Sequence, residues 1–283
     1  MELKANALVV RLMVIAFFLS WLEHIIERTM SFMGLPTPTS LVIYVSVLMI
    51  FYSLTHSGLT LGKKNLLVFL GITFVGAFAV ELIKVNTGFL IYTTGMGGKI
   101  GGVPFTLPLW FFILAYAAYF TTNLIFPQDG VSPSLGRIAF LSLVDGIVCS
   151  SWFTMEDPIN VALGNWSWGI PGDYFGSPIS IFLIWIATCS CVTFLYRIYE
   201  RKQQPVSRLK DTPVIAKYLP FFSYTWLAFS ASVGSVSLQV PSAAVVGFFA
   251  SAPFLAMGFY QIYEQEKPAF KARRSINLMH REF

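Results

Sequence analysis

Eight stretches of this chain are apolar over a length that crosses a bilayer: about 8–26, 39–56, 66–84, 106–126, 134–153, 178–198, 218–236 and 242–263. A transmembrane helix needs about 17–25 such residues. With no water in the hydrocarbon, a helix bonds every backbone polar group within its own segment. The expected fold class is therefore all-α, a polytopic membrane bundle of about eight transmembrane helices. The last two stretches share a short turn around residues 239–241, so the count is seven if one of them fails to span. Pro36, Pro38, Pro127, Pro133, Pro158, Pro171, Pro178, Pro205, Pro213 and Pro241 punctuate the connections, where proline belongs. Only 12% of residues are charged, against about 25% in a soluble domain. One membrane domain over 1–266, followed by a basic tail over 267–283, is the expected organisation. The first apolar run is followed by Glu23, His24 and Glu27 rather than a small-residue cleavage site, which makes it a first transmembrane helix and not a removed signal. Cys149, Cys189 and Cys191 lie in apolar blocks without ligand spacing and read as small core residues.

Basic residues set the expected orientation. With eight spans, Lys4, Arg11, Lys63, Lys64, Arg137, six residues between 197 and 217 and five from 267 to 281 share one side; only Arg28, Lys84 and Lys99 face the other. The positive-inside rule then places both termini in the cytoplasm, in a multi-pass protein of the plasma membrane. The basic tail would lie on the anionic inner leaflet, which accounts for the net charge of +5 without nucleic acid.

The acids distribute oppositely. Glu23, Glu27, Glu81, Glu156, Asp157 and Asp173 fall at the non-cytoplasmic ends of spans or in the connections there, and Asp145 lies inside the fifth span. The connection "MEDPINVALGNWSWGIPGDYFGSP" (Met155 to Pro178) combines acids with Trp166, Trp168 and Tyr174 and holds no Lys or Arg. Carboxyls near a bilayer face a bundle interior, pair, or take up a proton. On a helix Asp145, Cys149, Trp152 and Glu156 share one stripe. Pro158 biases Asp157 toward extended backbone, which ends that helix at about Glu156. Asp145 and Glu156 would be about 16 Å apart at 1.5 Å per residue, which rules out a direct dyad but suits two depths of one cavity. Simpler roles stand beside this one: Glu81 has Lys84 three residues on as an ion-pair partner, Trp and Tyr form ordinary interfacial belts, Asp157 can cap a helix end, and Asp145 can bond a neighbouring helix.

Several membrane chemistries lack their residues. The seventh and eighth spans hold no Lys for a retinal-type pigment, and His24, His56 and His280 are too scattered for haem or di-iron. No aspartate-rich diphosphate motif and no G-x-x-x-x-G-K loop occurs. Acid–base chemistry on a lipophilic, uncharged molecule remains, or transport.

"VELIKVNTGF" (Val80 to Phe89), "GGKIGGVPFTLPLWF" (Gly97 to Phe111) and "EDPINVALGNWSWGIPGDYFGSPISIFLIW" (Glu156 to Trp185) resemble the carotenoid-biosynthesis integral membrane family that includes the carotenoid 1,2-hydratases, of the bisanhydrobacterioruberin and γ-carotene hydratase type. The match runs through Glu81, Gly88, Lys99, Gly102, Pro104, Trp110, Asp157, Pro158, Trp166, Trp168, Tyr174, Phe175, Gly176, Pro178, Phe182 and Trp185. Ile181 stands where the family pattern has Asn, and the stretch after Phe89 is short, keeping Tyr92 and Thr93. The chain resembles a divergent member.

The resemblance implies hydration of a terminal isoprenoid double bond: protonation by a neutral carboxylic acid, a tertiary carbocation shielded by aromatic faces, and capture by water. Expected catalytic residues are Asp157 first, then Glu81, with Glu156 or Asp145 assisting. Trp152, Trp166, Trp168, Tyr174, Trp110, Phe175 and Tyr92 would line the end-group site. Gly88, Gly102, Pro104, Pro158, Gly176 and Pro178 would shape the loops around it, with glycine supplying the turns. No metal or organic cofactor is expected. The partners would be a carotenoid or other isoprenoid, water and membrane lipids. A terpene cyclase or isomerase would use the same acid with water excluded, and a proton-coupled transporter or carotenoid-binding protein would use the carboxyls as relays.

Overall fold

The computed structural model of the chain describes residues 5–35, 39–93, 96–127, 133–203, 208–209 and 212–279. Of the residues read above, Lys4, Lys210, His280, Arg281, Pro36, Pro38 and Pro205 lie outside the described residues. The helices are α1 (Ala7–Phe32), α2 (Thr39–Thr60), α3 (Lys63–Asn86), α4 (Leu107–Ile125), α5 (Leu135–Ala162), α6 (Ser180–Glu200), α7 (Val214–Lys217), α8 (Leu219–Ser237) and α9 (Pro241–Met279). Seven of them are long and apolar enough to cross a membrane. The exception among the long helices is α8. Its 19 residues match α4 in length, but Ser223, Thr225, Ser230, Ser232, Ser235 and Ser237 make it less apolar. Several of these hydroxyls are absorbed locally. Thr225, Ser232 and Ser237 donate to carbonyls one turn back, and Ser223 bonds the Tyr52 hydroxyl of α2.

Cross-contacts fix the direction of each helix. On α5 and α6, Asp145 meets Arg197 and Asp157 meets Trp185, so the two run antiparallel. His56 of α2 meets the Lys217 carbonyl at the end of α7, just before α8, and Lys217 in turn pairs with Glu266 of α9. Phe69 near the start of α3 packs on Tyr116 and Tyr119 in the second half of α4. The eight long helices therefore alternate, up and down. The ends of α2, α4, α6 and α9 share one face of the bundle with the starts of α3, α5 and α8, and this is where Lys63, Lys64, Arg137, Arg197, Arg201, Lys202, Arg208 and Lys217 fall. The opposite end carries the loops with the aromatic and acidic motifs.

The centre of the bundle is α4, apolar on all faces and buried along almost its whole length. Against it lies α5, which packs most extensively on α6. That closeness depends on Gly146, where a Cβ would run into the Ile186 carbonyl and the Ser190 hydroxyl. Cys149 and Cys189 are core residues in this region, whereas Cys191 faces outward.

One feature corrects the sequence reading. The fifth helix does not end at Glu156 but continues through Pro158 to Ala162. Proline removes the donor that would bond the Thr154 carbonyl, and the Tyr174 hydroxyl supplies it instead, at 2.9 Å. Helix α9 runs on through residues 267–279 to Met279.

The helical fold is trimmed at the loop end by two short ribbons. Strands β1 (Leu90–Tyr92) and β4 (Trp166–Trp168) pair antiparallel, with Tyr92 opposite Trp166 and Leu90 opposite Trp168. Strands β2 (Lys99–Ile100) and β3 (Val103–Pro104) form a hairpin around Gly101 and Gly102, both at positive φ (59° and 84°). Two left-handed residues are what a two-residue hairpin turn requires. The β1–β4 ribbon stitches the connection after α3 to the connection after α5, and it continues as Gly169 N–H donates to the Phe89 carbonyl. A Cβ on Gly169 would collide with the Gly88 carbonyl.

Candidate active site

The last turn of α3 presents Glu81 and Lys84, each 3% exposed, on one face three residues apart. Lys84 Nζ donates to Glu81 Oε1 at 2.5 Å. The other carboxylate oxygen accepts from the Tyr92 hydroxyl of β1. Burial, then the adjoining Glu81 charge, push the Tyr92 phenol well above its ordinary value, so it stays a donor. Lys99 of the hairpin donates to the Tyr92 carbonyl at 2.8 Å and holds that strand in place.

Facing this pair is Asp157, fully buried on α5. Its Oδ2 accepts from the Trp185 indole N–H of α6 at 3.2 Å, while Oδ1 has no partner among the described residues. The charged groups around it are Lys84, Glu81 and Glu156. Phe153 and Asp157 are one turn apart on α5, and the indole covers both. Its ring stacks on Phe153 with centroids 4.0 Å apart and planes 5° from parallel, and its N–H reaches the carboxyl. Lys84 Nζ lies 4.1 Å over the same indole. Phe153 and Lys84 are both too close to share a face, so Trp185 is clasped between a ring and an ammonium. Phe111 of α4 stacks nearby at 5.8 Å.

The quoted connection holds no cation, yet its acids do not stand alone. Lys84 arrives beside Asp157 from α3. Of the alternatives for Glu81, the ion pair with Lys84 is formed.

The aromatic residues divide. Trp166 is buried, packs edge-on against Tyr92 and leaves its indole N–H without a partner among the described residues. Trp152 is buried beside Phe153, also with a free indole N–H by the same measure. Trp168 packs edge-on against Phe89 and donates to Ser177 at 3.3 Å. Tyr174 serves α5 through Thr154, and its ring meets Phe175 and Phe182. Burial pushes its phenol up to about 12. Phe175 is exposed and strained at φ 48°, beside Gly176 at φ 83°. Trp110 packs at the edge of the core, Pro104 and Pro178 are buried, and Gly88 turns at φ 69°. Glu156 is occupied locally, accepting from the Asn160 amide at 2.9 Å.

Asp145 does not join this group. Arg197 holds both its oxygens at 2.9 Å, with Asn123 taking a further guanidinium N–H at 2.8 Å. The pair lies toward the basic end, twelve residues of α5 away from Asp157. Glu23 and Glu27 sit at the loop end, but on α1, which packs on α2 and α8 rather than beside the α3–α5–α6 group. Asp173 is exposed. Among the described residues, no set of three or more His, Cys, Asp or Glu is grouped to hold a metal ion.

A family model described as carotenoid biosynthesis protein matches residues 38–253. The chain belongs to that carotenoid biosynthesis family. The matched region contains every residue of the Glu81–Lys84–Tyr92–Asp157–Trp185 group and both ribbons. Bisanhydrobacterioruberin hydratase of Haloarcula japonica is 28% identical over 158 residues, 53% of this chain and 51% of the relative. The chain thus spans about half the length of the curated relative it matches, as a divergent family member. No solved structure matches it.

Three residues of the site were not among the expected site residues. Trp185 stood in the matched motif, and its spacing gave no reason to set it beside Asp157. Phe153 sits four residues before Asp157, a helical signal that was available once α5 was known to continue. Lys84 was visible only as a partner for Glu81.

Proposed function

We propose that this chain is an integral membrane hydratase that adds water across a terminal C=C of an acyclic carotenoid end group. One observation carries the reading: a fully buried carboxyl, Asp157, set against an indole and stacked phenyl rings with one oxygen left without a protein partner. Burying a carboxylate without several hydrogen bonds is costly, so Asp157 holds a proton. It gives that proton to the terminal alkene carbon, the O–H bond breaking as the C–H bond forms, and a tertiary carbocation results. Trp166, packed on Tyr92 beside Glu81, offers an electron-rich face to it. Water forms the new C–O bond and returns a proton to the Asp157 carboxylate, so the balance is the addition of one water. The Lys84 ammonium stabilises the transient carboxylate. Glu81, accepting from both Lys84 and Tyr92, anchors that ammonium instead of donating a proton. The resident groups need no added cofactor for these steps, and the substrate, water and lipid are the partners. We place the basic end of the bundle on the cytoplasmic side and the site on the non-cytoplasmic side of the plasma membrane, because the bundle sorts most of its Lys and Arg to one end.

Expressing the chain in a host that accumulates lycopene tests this. A product heavier by one or two waters, lost in Asp157→Asn at equal protein level, is the expected result. Ile181 supports a second reading. It is fully buried one turn before Trp185, where the family pattern carries a polar Asn, and a drier wall suits a cyclase or isomerase. An isomeric product of unchanged mass would select that reading. No new product from lycopene or from shorter prenyl lipids, with proton-coupled uptake instead, would select a transporter.

A further inference from the structure

Trp185 does not meet the substrate in the arrangement described, since Phe153 covers one face of its indole and Lys84 the other. Its N–H nevertheless makes the hydrogen bond to the proposed acid, at 3.2 Å. The ring is held from three helices: Phe153 of α5 stacks on it, Phe111 of α4 stacks beyond, and α6 carries it. The α5–α6 contact is further pinned one turn away, where the Ser150 hydroxyl donates to the Phe182 carbonyl at 3.1 Å. An indole N–H can only donate. The oxygen facing it therefore always accepts, and the proton of a neutral Asp157 belongs on Oδ1.

We propose that Trp185 is a positioning residue that fixes which Asp157 oxygen carries the transferable proton, with Phe153 as the plate that aims the indole. The inference rests on the hydratase reading for its kinetic consequence, though not for its structural one. When Oδ1–H gives its proton to the alkene, the indole bond to Oδ2 becomes charge-assisted and strengthens as the carboxylate forms. Its contribution therefore falls mainly on the chemical step and little on substrate binding.

The test uses the full-length protein in lipid vesicles and compares wild type, Asp157→Asn and Trp185→Phe. Phenylalanine keeps a smaller aromatic ring for Phe153 and Lys84 and removes the N–H. Infrared spectra should show a protonated-carboxyl C=O stretch that disappears in Asp157→Asn. In Trp185→Phe that band should move to higher wavenumber, as expected for a carbonyl that has lost a donor. With lycopene in the vesicles, kcat should fall about 10- to 100-fold with KM unchanged, the loss expected for a hydrogen bond to a forming charge. A role confined to packing would instead lower the yield of folded protein and leave the band where it was. If Trp185→Phe does not accumulate, Phe153→Leu keeps the N–H but removes its plate, and should broaden and raise the same band. No band lost in Asp157→Asn, or a band unmoved in Trp185→Phe, overturns the proposal. A shifted band in a protein that leaves lycopene untouched would instead retain the positioning of Asp157 by Trp185 and overturn the hydratase reading.

Discussion

The hydroxyl of Tyr174 lies 2.9 Å from the carbonyl oxygen of Thr154, the oxygen whose helical donor would be residue 158 were it not proline. A loop residue thus completes a helix and carries α5 past its proline to the turn that holds Asp157, Ile159 and Asn160. Tyr174→Phe should lower the stability of the detergent-solubilised protein by about 1 kcal/mol, the value of one such bond. Adding Pro158→Ala restores a backbone donor, so the double variant should lose less than Tyr174→Phe alone. Thermal unfolding of the three proteins checks this, and equal losses would contradict it.

Alkaline pH reads the same tyrosine. Burial raises its phenol from an ordinary value of about 10 to about 12. The unfolded chain then releases this proton before the folded chain does. Its contribution to stability is complete below about pH 10 and is lost as pH rises toward about 12. Tyr92 has the same sign, its phenol being raised by burial and by Glu81. The fall in stability above pH 10 should be steeper in wild type than in Tyr174→Phe.

Glu81 and Lys84 form a buried pair, each side chain 4% exposed. Removing one partner strands the other charge. Lys84→Met should destabilise by about 3–5 kcal/mol, while the double variant Glu81→Gln with Lys84→Met should recover most of that loss. A double variant as unstable as the single one would show that the two do not act as a pair.

Asp145 and Arg197 offer the contrasting case. Asp145→Asn should likewise cost about 3 kcal/mol, because it leaves the guanidinium of Arg197 short of a counter-charge. The protein that still folds should give the same product with the same KM, since the pair lies at the other end of the bundle. A changed product would bring Asp145 back into the site.

Gly169→Ala places a methyl group against the Gly88 carbonyl. The β1–β4 ribbon should part, with limited proteolysis in the 88–93 and 164–170 connections rising and activity falling. Unchanged proteolysis would mean that the ribbon does not hold those loops.

Much of the bundle could be read from sequence, because each span is a local property of about twenty residues. What escaped depends on partners distant in the chain. Asp145 looked like a site residue, and nothing near it announces an arginine 52 positions on. The Pro158 rule gave the wrong helix end because the remedy, Tyr174, lies 20 residues beyond Thr154. The loop motifs named Glu81, Tyr92, Asp157 and Trp166 separately. Only strand register showed that Tyr92 and Trp166 lie opposite each other. The polar content of α8 explains why seven helices are apolar enough to span while eight alternate.

The spacing of the charged pairs also bears on the order in which the chain enters its membrane. Glu81 and Lys84 are three residues apart, so α3 can partition as it emerges with its charges already neutralising each other. Asp145 has no such neighbour. It emerges before Arg197 has been made, and α5 gains its counter-charge only when α6 has been synthesised. The helix that brings the partner for Asp145 also brings Trp185 for Asp157, so α5 and α6 would be committed to the bilayer together, as one hairpin.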